Sequence, residues 1–356
     1  MSIEYIPSTA NVIKSVPKSA NAPYGVIDVD VVAPGRKRIV TLGGEFTYMA
    51  QFANHYIKLI KQLLTEANAA DCDVYGVYYT FGSRKADVER REIFARAGRM
   101  IAPANHWRQM LTHAERLEHM ENTEPVPGYL EPLYNALIKP ILIDDAGNVR
   151  DAKTVKQLAE ELRFYTHSHG SAVLYQLADI MADKMKQMNF TAEQIRDIQK
   201  QIVAVQHGPV SPLEHSRFTT LSFMSASDTT SRMYNTFYEY AHNNSENMYP
   251  SYFPQWGMNL FMAGQFRETL GKEHDDLGLT AYVHKQLTDD GRVIHAAERN
   301  AILNSVRTNS NDVRTLVSGD GVDFDELVRN GQWFYELMLR DTKSQTTQNP
   351  KPDYQR

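Results

Sequence analysis

Short runs of β-branched and aromatic residues alternate with helical stretches over most of this chain, and this alternation limits the fold more than any other sequence feature. The strand-like runs lie at 24–32, 38–42, 73–80, 141–149, 163–166, 201–206 and 218–224. Helical periodicity is found at 46–67, 171–188, 296–307 and 325–340. Such alternation is typical of parallel sheets covered by helices. The sequence therefore predicts an α/β fold with a mostly parallel central sheet flanked by helices, a helical insertion (cap) and a helical C-terminal region.

The 356 residues are predicted to form one large domain at 25–340 with irregular ends. Residues 1–24 are polar and rich in Ser, Pro, Asn and Lys, which predicts an irregular N-terminal arm. The charged stretch at about 83–135 is too long for a simple crossover between two strands, so we expect an insertion or cap there. The tail at 341–356 has the composition of a disordered segment.

Composition argues against several classes of protein. The net charge is −5 and no long run of Lys or Arg occurs, which argues against sequence-independent binding of nucleic acid. No secretory signal and no membrane-spanning apolar stretch is found, so a cytoplasmic location is expected, with unconventional export left open. The one cysteine, Cys72, cannot form an intrachain disulfide and is expected to be a core residue just ahead of a strand.

The most informative motif is Thr166-His-Ser-His-Gly170, which follows a predicted strand and precedes an amphipathic helix. A serine hydroxyl becomes a nucleophile when a base removes its proton and the backbone presents it at a sharp turn. Such a turn needs small neighbours, which Gly170 and Ser171 provide. The N–H of His169, at the positive end of the helix dipole, would then face the oxygen of a substrate carbonyl. The motif makes Ser168 the candidate nucleophile.

The motif resembles the nucleophile elbow of the α/β-hydrolase superfamily, in the His-Ser-His-Gly form of lipases and esterases. The resemblance extends over roughly 24–285, and Thr166 departs from the glycine usual at its position. The resemblance implies a catalytic triad whose members follow one another along the chain in the order Ser, Asp, His. Asp228, after the run at 218–224, is accordingly the predicted acid, and His274 is the predicted base. Other histidines could take the place of His274, namely His215, His242 and His295.

The resemblance also implies a second donor for the oxyanion in the loop after an early strand. Gly43 and Gly44 follow the run at 38–42, and glycine allows the close backbone approach that such a loop needs. The N–H of Gly44 or of Glu45 is the predicted donor, beside that of His169.

The implied function is that of a serine hydrolase that cleaves an ester or related acyl bond through an acyl-enzyme on Ser168. It would need no metal or organic cofactor, and its substrate would be a small-molecule or lipid acyl compound. The aromatic-rich stretch at 235–256 could form the wall of an acyl pocket or belong to the core.

Three alternatives remain open. His167 and His169 would face the same side of an extended strand, as ligands do in some zinc hydrolases. His274 and Asp275 could form the metal dyad of a helical phosphohydrolase, although the β-rich runs argue against an all-helical fold. A catalytically inactive α/β-hydrolase fold that acts as a binding protein is the third.

Overall fold

The structure is a computed structural model that describes thirteen segments of the chain. They are residues 5–6, 9–16, 25–44, 47, 50–69, 71–80, 83–84, 128–207, 209, 217–223, 289–309, 311–319 and 321–323. The strands are β1 (Tyr5–Ile6), β2 (Thr9–Val16), β3 (Gly25–Val29), β4 (Arg38–Leu42), β5 (Asp73–Thr80), β6 (Ser83–Arg84), β7 (Leu162–His167), β8 (Val203–His207) and β9 (Thr219–Phe223). The helices are α1 (Ala50–Glu66), α2 (Leu130–Leu133), α3 (Lys139–Leu142), α4 (Ala152–Ala159), α5 (Gly170–Gln187), α6 (Ala192–Gln199), α7 (Asp289–Arg307) and α8 (Val313–Val317). A π-helical turn at Tyr134–Ile138 joins α2 to α3.

Within these segments, seven strands form one mixed sheet in the order β3-β2-β5-β4-β7-β8-β9. The strands β5, β4, β7, β8 and β9 are parallel, whereas β2 is antiparallel to both β3 and β5. The predicted α/β fold with a mostly parallel sheet is therefore confirmed. The strands predicted at 38–42 and 73–80 have the bounds found in the structure.

Helices cover both faces of the sheet. Helices α1 and α7 pack on one face, and α2 to α6 pack on the other. Along β4, Val40 and Leu42 belong to one core and Ile39 to the other, as the two-residue period of a strand requires. Helices α4 and α6 begin at capping residues: Asp151 accepts hydrogen bonds from two backbone N–H groups, and Thr191 forms a capping box with Gln194.

The prediction of an irregular arm at 1–24 is wrong for Thr9–Val16. These residues form β2, an interior strand that pairs with both β3 and β5. Buried Ala10, Val12 and Ile13 anchor the strand, while polar Asn11 and Lys14 lie between and beside them. Of its four buried positions three are apolar and the fourth is Ser15, and the polar residues between them conceal the strand pattern.

Other predictions are corrected or fall outside the described residues. The run at 141–149 is not a strand: Ile141 and Leu142 end the helical segment, and only the pair Ile143–Val149 forms a β-bridge. Residues 85–127 of the predicted insertion and the tail at 341–356 lie outside the described residues. Residues 128–135 belong to the main core, where Tyr129, Leu130 and Leu133 are buried. No helix in the described part of the chain has the length and apolar character to cross a membrane.

The chain reverses its winding direction between β4 and β7. From β4 the chain runs through α1 to β5 on one side, and it later returns to β7 on the other side of β4. Open α/β sheets bind ligands at the carboxyl ends of the strands at such a switch point. Here those ends lead into Gly43 and Ser168, so the fold brings together the two loops that the sequence singles out.

Candidate functional site

Ser168 forms the turn between β7 and α5 in a conformation that is unusual for its residue type. Its φ angle is +51°, and among the described non-glycine residues only Asn68 and Asn189 share a positive φ. Asparagine tolerates this region well, whereas serine adopts it at a cost of about 1–2 kcal/mol. Strain of this kind persists where the surroundings impose it, and it concentrates at functional sites. Ser168 is also buried, with 8% of its surface exposed.

Hydrogen bonds on both sides hold this turn in place. The Ser168 N–H donates to the carbonyl of His207, the last residue of β8, at 3.0 Å. The Ser168 carbonyl accepts the Ser171 N–H at 3.1 Å and the Ser171 hydroxyl at 2.8 Å. The neighbouring strand and the first turn of α5 thus fix the peptide groups on either side of the serine.

Gly170 is required because α5 begins directly against the end of β4. A Cβ atom at position 170 would overlap the carbonyl oxygen of Leu42 and approach that of Gly43. His169 precedes it as the N-cap residue with helical backbone angles, so the main chain of His169 lies at the positive end of an 18-residue helix. The small residue that the motif predicted is thus explained by a close contact.

The glycine loop after β4 lies against the serine. A Cβ atom on Gly44 would stand 3.1 Å from the Ser168 Cβ and 3.5 Å from its Oγ. Gly43 is equally confined, since a Cβ there would overlap the side chains of Thr47 and Tyr56. The structure therefore brings Gly44, Ser168 and His169 together, as the sequence predicted from their separate motifs.

Two tyrosines that the sequence analysis did not single out join the site. The hydroxyl of Tyr56, from α1, lies 2.8 Å from Nδ1 of His167. The hydroxyl of Tyr79, near the end of β5, donates to the Gly43 carbonyl at 2.7 Å and lies 3.4 Å from Nδ1 of His169. Both rings belong to apolar stripes that resemble ordinary core. The sequence could have pointed to them only through a general rule, namely that the hydroxyl of a buried tyrosine needs a polar partner.

The protonation of Tyr56 follows from its surroundings. Burial raises the pKa of the Tyr56 phenol far above its ordinary value, while hydrogen bonds with the Gly44 backbone and the Thr47 side chain oppose the shift. An interaction that lowers a phenol pKa favours the phenolate, so the backbone group of Gly44 that faces Tyr56 is its N–H. The same hydroxyl lies 2.8 Å from Nδ1 of His167, so Tyr56 links the glycine loop to the last residue of β7.

A buried histidine–glutamate pair lies beside this arrangement. Nδ1 of His207 lies 3.1 Å from Oε1 of Glu298 on α7, and both side chains are almost fully buried. The rings of His167 and His207 are 5.5 Å apart, because the two residues occupy matching positions on neighbouring parallel strands. Sequence reasoning missed this pair. Its signal was a glutamate among the apolar residues of the buried face of a helix.

The remaining predicted site residues are not described by the structure. Asp228, His274 and Glu45 lie outside the described residues, as do the alternative bases His215 and His242. Their roles stay predictions.

The alternative of a metal site at His167 and His169 required both residues to lie on one extended strand, which the structure does not show. His167 ends β7 and His169 caps α5, with the turn at Ser168 between them, so they do not share an extended strand. Each ring contacts a different tyrosine. In the part of the chain that is described, no group of three or more His, Cys, Asp or Glu residues could hold a metal ion.

Cys72 lies just before β5, at the amino-terminal ends of the parallel strands, whereas Ser168 lies at their carboxyl-terminal ends. It is buried, as predicted, and burial raises the pKa of its thiol to about 12. A thiol that stays protonated is a poor nucleophile. The structure therefore supports the interpretation of Cys72 as a core residue.

Comparison with known proteins adds no relative from which a function could be carried over. No protein-family model matches the chain, and no curated protein matches its sequence. A function for this chain is therefore inferred from the geometry around Ser168.

Proposed function

We propose that this chain is a serine hydrolase that cleaves an ester or related acyl bond through an acyl-enzyme on Ser168. The observation that carries the proposal is the strained turn at Ser168, at the switch point of the sheet, with the Gly44 backbone packed against it. In an α/β-hydrolase, a strand-to-helix turn of this kind presents the nucleophile, and a loop after an early strand supplies a donor of the oxyanion hole.

The chemistry needs a base for the serine and donors for the oxyanion. In the proposal, His274 takes the proton of the Ser168 hydroxyl as the oxygen attacks the acyl carbonyl. Asp228 keeps the His274 ring in the correct tautomer and stabilises its protonated form. The proton then passes to the leaving alkoxide, and water releases the acyl group from Ser168.

Two backbone N–H groups would stabilise the oxyanion. The first is the N–H of His169, at the start of α5, where the helix dipole favours negative charge. The second comes from Gly44 or Glu45.

A panel of p-nitrophenyl esters of increasing acyl length tests the proposal. We expect the wild-type protein to hydrolyse at least one ester and Ser168→Ala to lose this activity by about 10⁴-fold or more, since a triad without its nucleophile keeps only residual catalysis. Ser305→Ala, which removes a buried hydroxyl in α7, is the matched control and should hydrolyse the ester like the wild type.

Circular dichroism should show that both variants are folded. Equal hydrolysis by the wild type and Ser168→Ala would contradict the proposal. A folded wild-type protein that hydrolyses none of the esters would favour the alternative of an inactive fold that acts as a binding protein.

A further inference from the structure

The hydroxyl of Tyr79 connects the two chain segments that the proposed function assigns to the oxyanion. It donates to the carbonyl of Gly43 at 2.7 Å, in the loop after β4. It also lies 3.4 Å from Nδ1 of His169, whose ring centroid is 6.0 Å from that of Tyr79. A carbonyl oxygen can only accept, so the phenol hydrogen is used at Gly43 and the phenol oxygen can accept from the His169 ring.

A hydrogen bond to the Gly43 carbonyl determines where the Gly44 N–H points. The carbonyl of one residue and the N–H of the next share a planar trans peptide, so they point in opposite directions. Tyr79 binds this peptide at its carbonyl, and Tyr56 lies on its N–H side. Two phenols from different elements thus hold one peptide group from opposite ends.

The next carbonyl is held by the same part of the structure. The Gly44 carbonyl accepts the Thr47 N–H at 2.9 Å, and the Thr47 carbonyl accepts the N–H of Tyr79 at 3.0 Å. Two adjacent glycines have wide conformational freedom, and a glycine peptide that loses its partners can turn over at low cost. The orientation of this loop therefore depends on groups that β5 provides.

We propose that Tyr79 is a positioning residue for the candidate oxyanion hole: its phenol hydroxyl fixes the Gly43–Gly44 peptide and braces His169, and so aligns both donor segments with Ser168. This inference rests on the proposed function, because it concerns the reaction at the same site. Tyr79 itself is 1% exposed and its hydroxyl is occupied by the loop, which suits a residue that acts through its neighbours.

The test compares Tyr79→Phe with Tyr129→Phe and with 4-aminophenylalanine at position 79. Tyr129 is buried against the Tyr79 ring, with centroids 5.8 Å apart, but its hydroxyl donates to Gln176. Tyr129→Phe thus removes a hydroxyl from the same aromatic pair and leaves the hydrogen bonds of Tyr79 to the loop in place. The amino variant keeps a donor at the same ring position.

Ester hydrolysis provides the first readout. Loss of a single oxyanion donor lowers kcat by about 10²–10³-fold, and loss of its alignment should lower kcat by about tenfold in Tyr79→Phe, with KM within about twofold of the wild type. The amino variant should recover kcat to within about threefold, and Tyr129→Phe should match the wild type. An unchanged kcat in folded Tyr79→Phe would overturn the inference. If Tyr79→Phe does not fold, loss of activity in the folded amino variant would overturn it instead.

Hydrogen exchange at the Gly44 amide provides a readout that does not need activity. Exchange should be faster in Tyr79→Phe than in the wild type and unchanged in Tyr129→Phe. Faster exchange in a protein without serine-dependent hydrolysis would retain the positioning role and contradict the proposed function. Serine-dependent hydrolysis with unchanged exchange and unchanged kcat would contradict only the role of Tyr79.

Discussion

At the scale of single residues, the backbone conformation of Ser168 lowers the stability of the fold and places the serine hydroxyl at a sharp turn. With φ at +51°, the residue occupies a region in which a glycine would have no steric penalty. The helix that follows and the strand beside it impose this conformation through the hydrogen bonds at both peptide groups. A strained residue kept at the switch point of a sheet is expected where the side chain is needed for chemistry.

The strain predicts that Ser168→Gly is more stable than Ser168→Ala by about 1 kcal/mol, because only glycine adopts a positive φ without cost. Both variants should lack ester hydrolysis. Urea unfolding followed by circular dichroism gives the two free energies of unfolding.

The matched pair is Ser305→Gly and Ser305→Ala, in the last turn of α7, where the backbone is still helical. Here the order should reverse, with glycine less stable than alanine by about 1 kcal/mol. If glycine is the less stable residue at 168 as well, Ser168 is not strained in solution.

At the scale of elements, α7 is attached to the sheet by polar groups as well as by its apolar face. Nε of Arg163, on β7, donates to the Ser305 carbonyl at 2.6 Å, and burial lowers the pKa of this guanidinium to about 10. Glu298 contacts His207 from the same helix. Because His207 also accepts the Ser168 N–H, α7 is coupled through one residue to the candidate nucleophile.

Loss of the Glu298 carboxylate should therefore destabilise the protein substantially. Glu298→Ala leaves the buried His207 ring without this partner, which typically costs about 2–4 kcal/mol. Arg299→Ala, at the adjacent exposed position of α7, should change the free energy of unfolding by no more than about 0.5 kcal/mol. Urea unfolding of the two variants measures the difference, and similar values would show that the buried pair contributes little.

The elements also show which features could be predicted from the sequence. The β-branched and aromatic residues of β4 and β5 made the bounds of these strands predictable. The polar residues in β2 concealed an interior strand. The apolar residues Ile141 and Leu142 fit a buried helix as well as a strand, because periodicity cannot separate the two over a short run.

The site residues that belong to short sequence motifs could be predicted, whereas those brought in from distant parts of the chain could not. Ser168, Gly170 and Gly44 belong to short motifs whose spacing indicates a turn. Tyr56 is 111 residues from His167, and Tyr79 is 90 residues from His169. Only the packing of the sheet brings these phenols to the histidines, and no local sequence pattern predicts such a contact.

At the scale of the whole molecule, the topology explains why one site collects residues from so many elements. The winding reverses between β4 and β7, so the loops after these strands lie side by side at the carboxyl ends of the strands. Helix α1 and strand β5 contribute the two phenols from opposite faces. The N-terminal strand β2 adds an antiparallel pairing beside β5 and extends the sheet that supports this edge.

The most direct test of an activated hydroxyl at position 168 is labelling with a fluorophosphonate probe, followed by mass spectrometry of the intact protein and its peptides. The account predicts one covalent adduct on folded wild-type protein, located on Ser168, and none on Ser168→Ala. An adduct that persists in Ser168→Ala, or a folded wild-type protein that remains unlabelled, would contradict it.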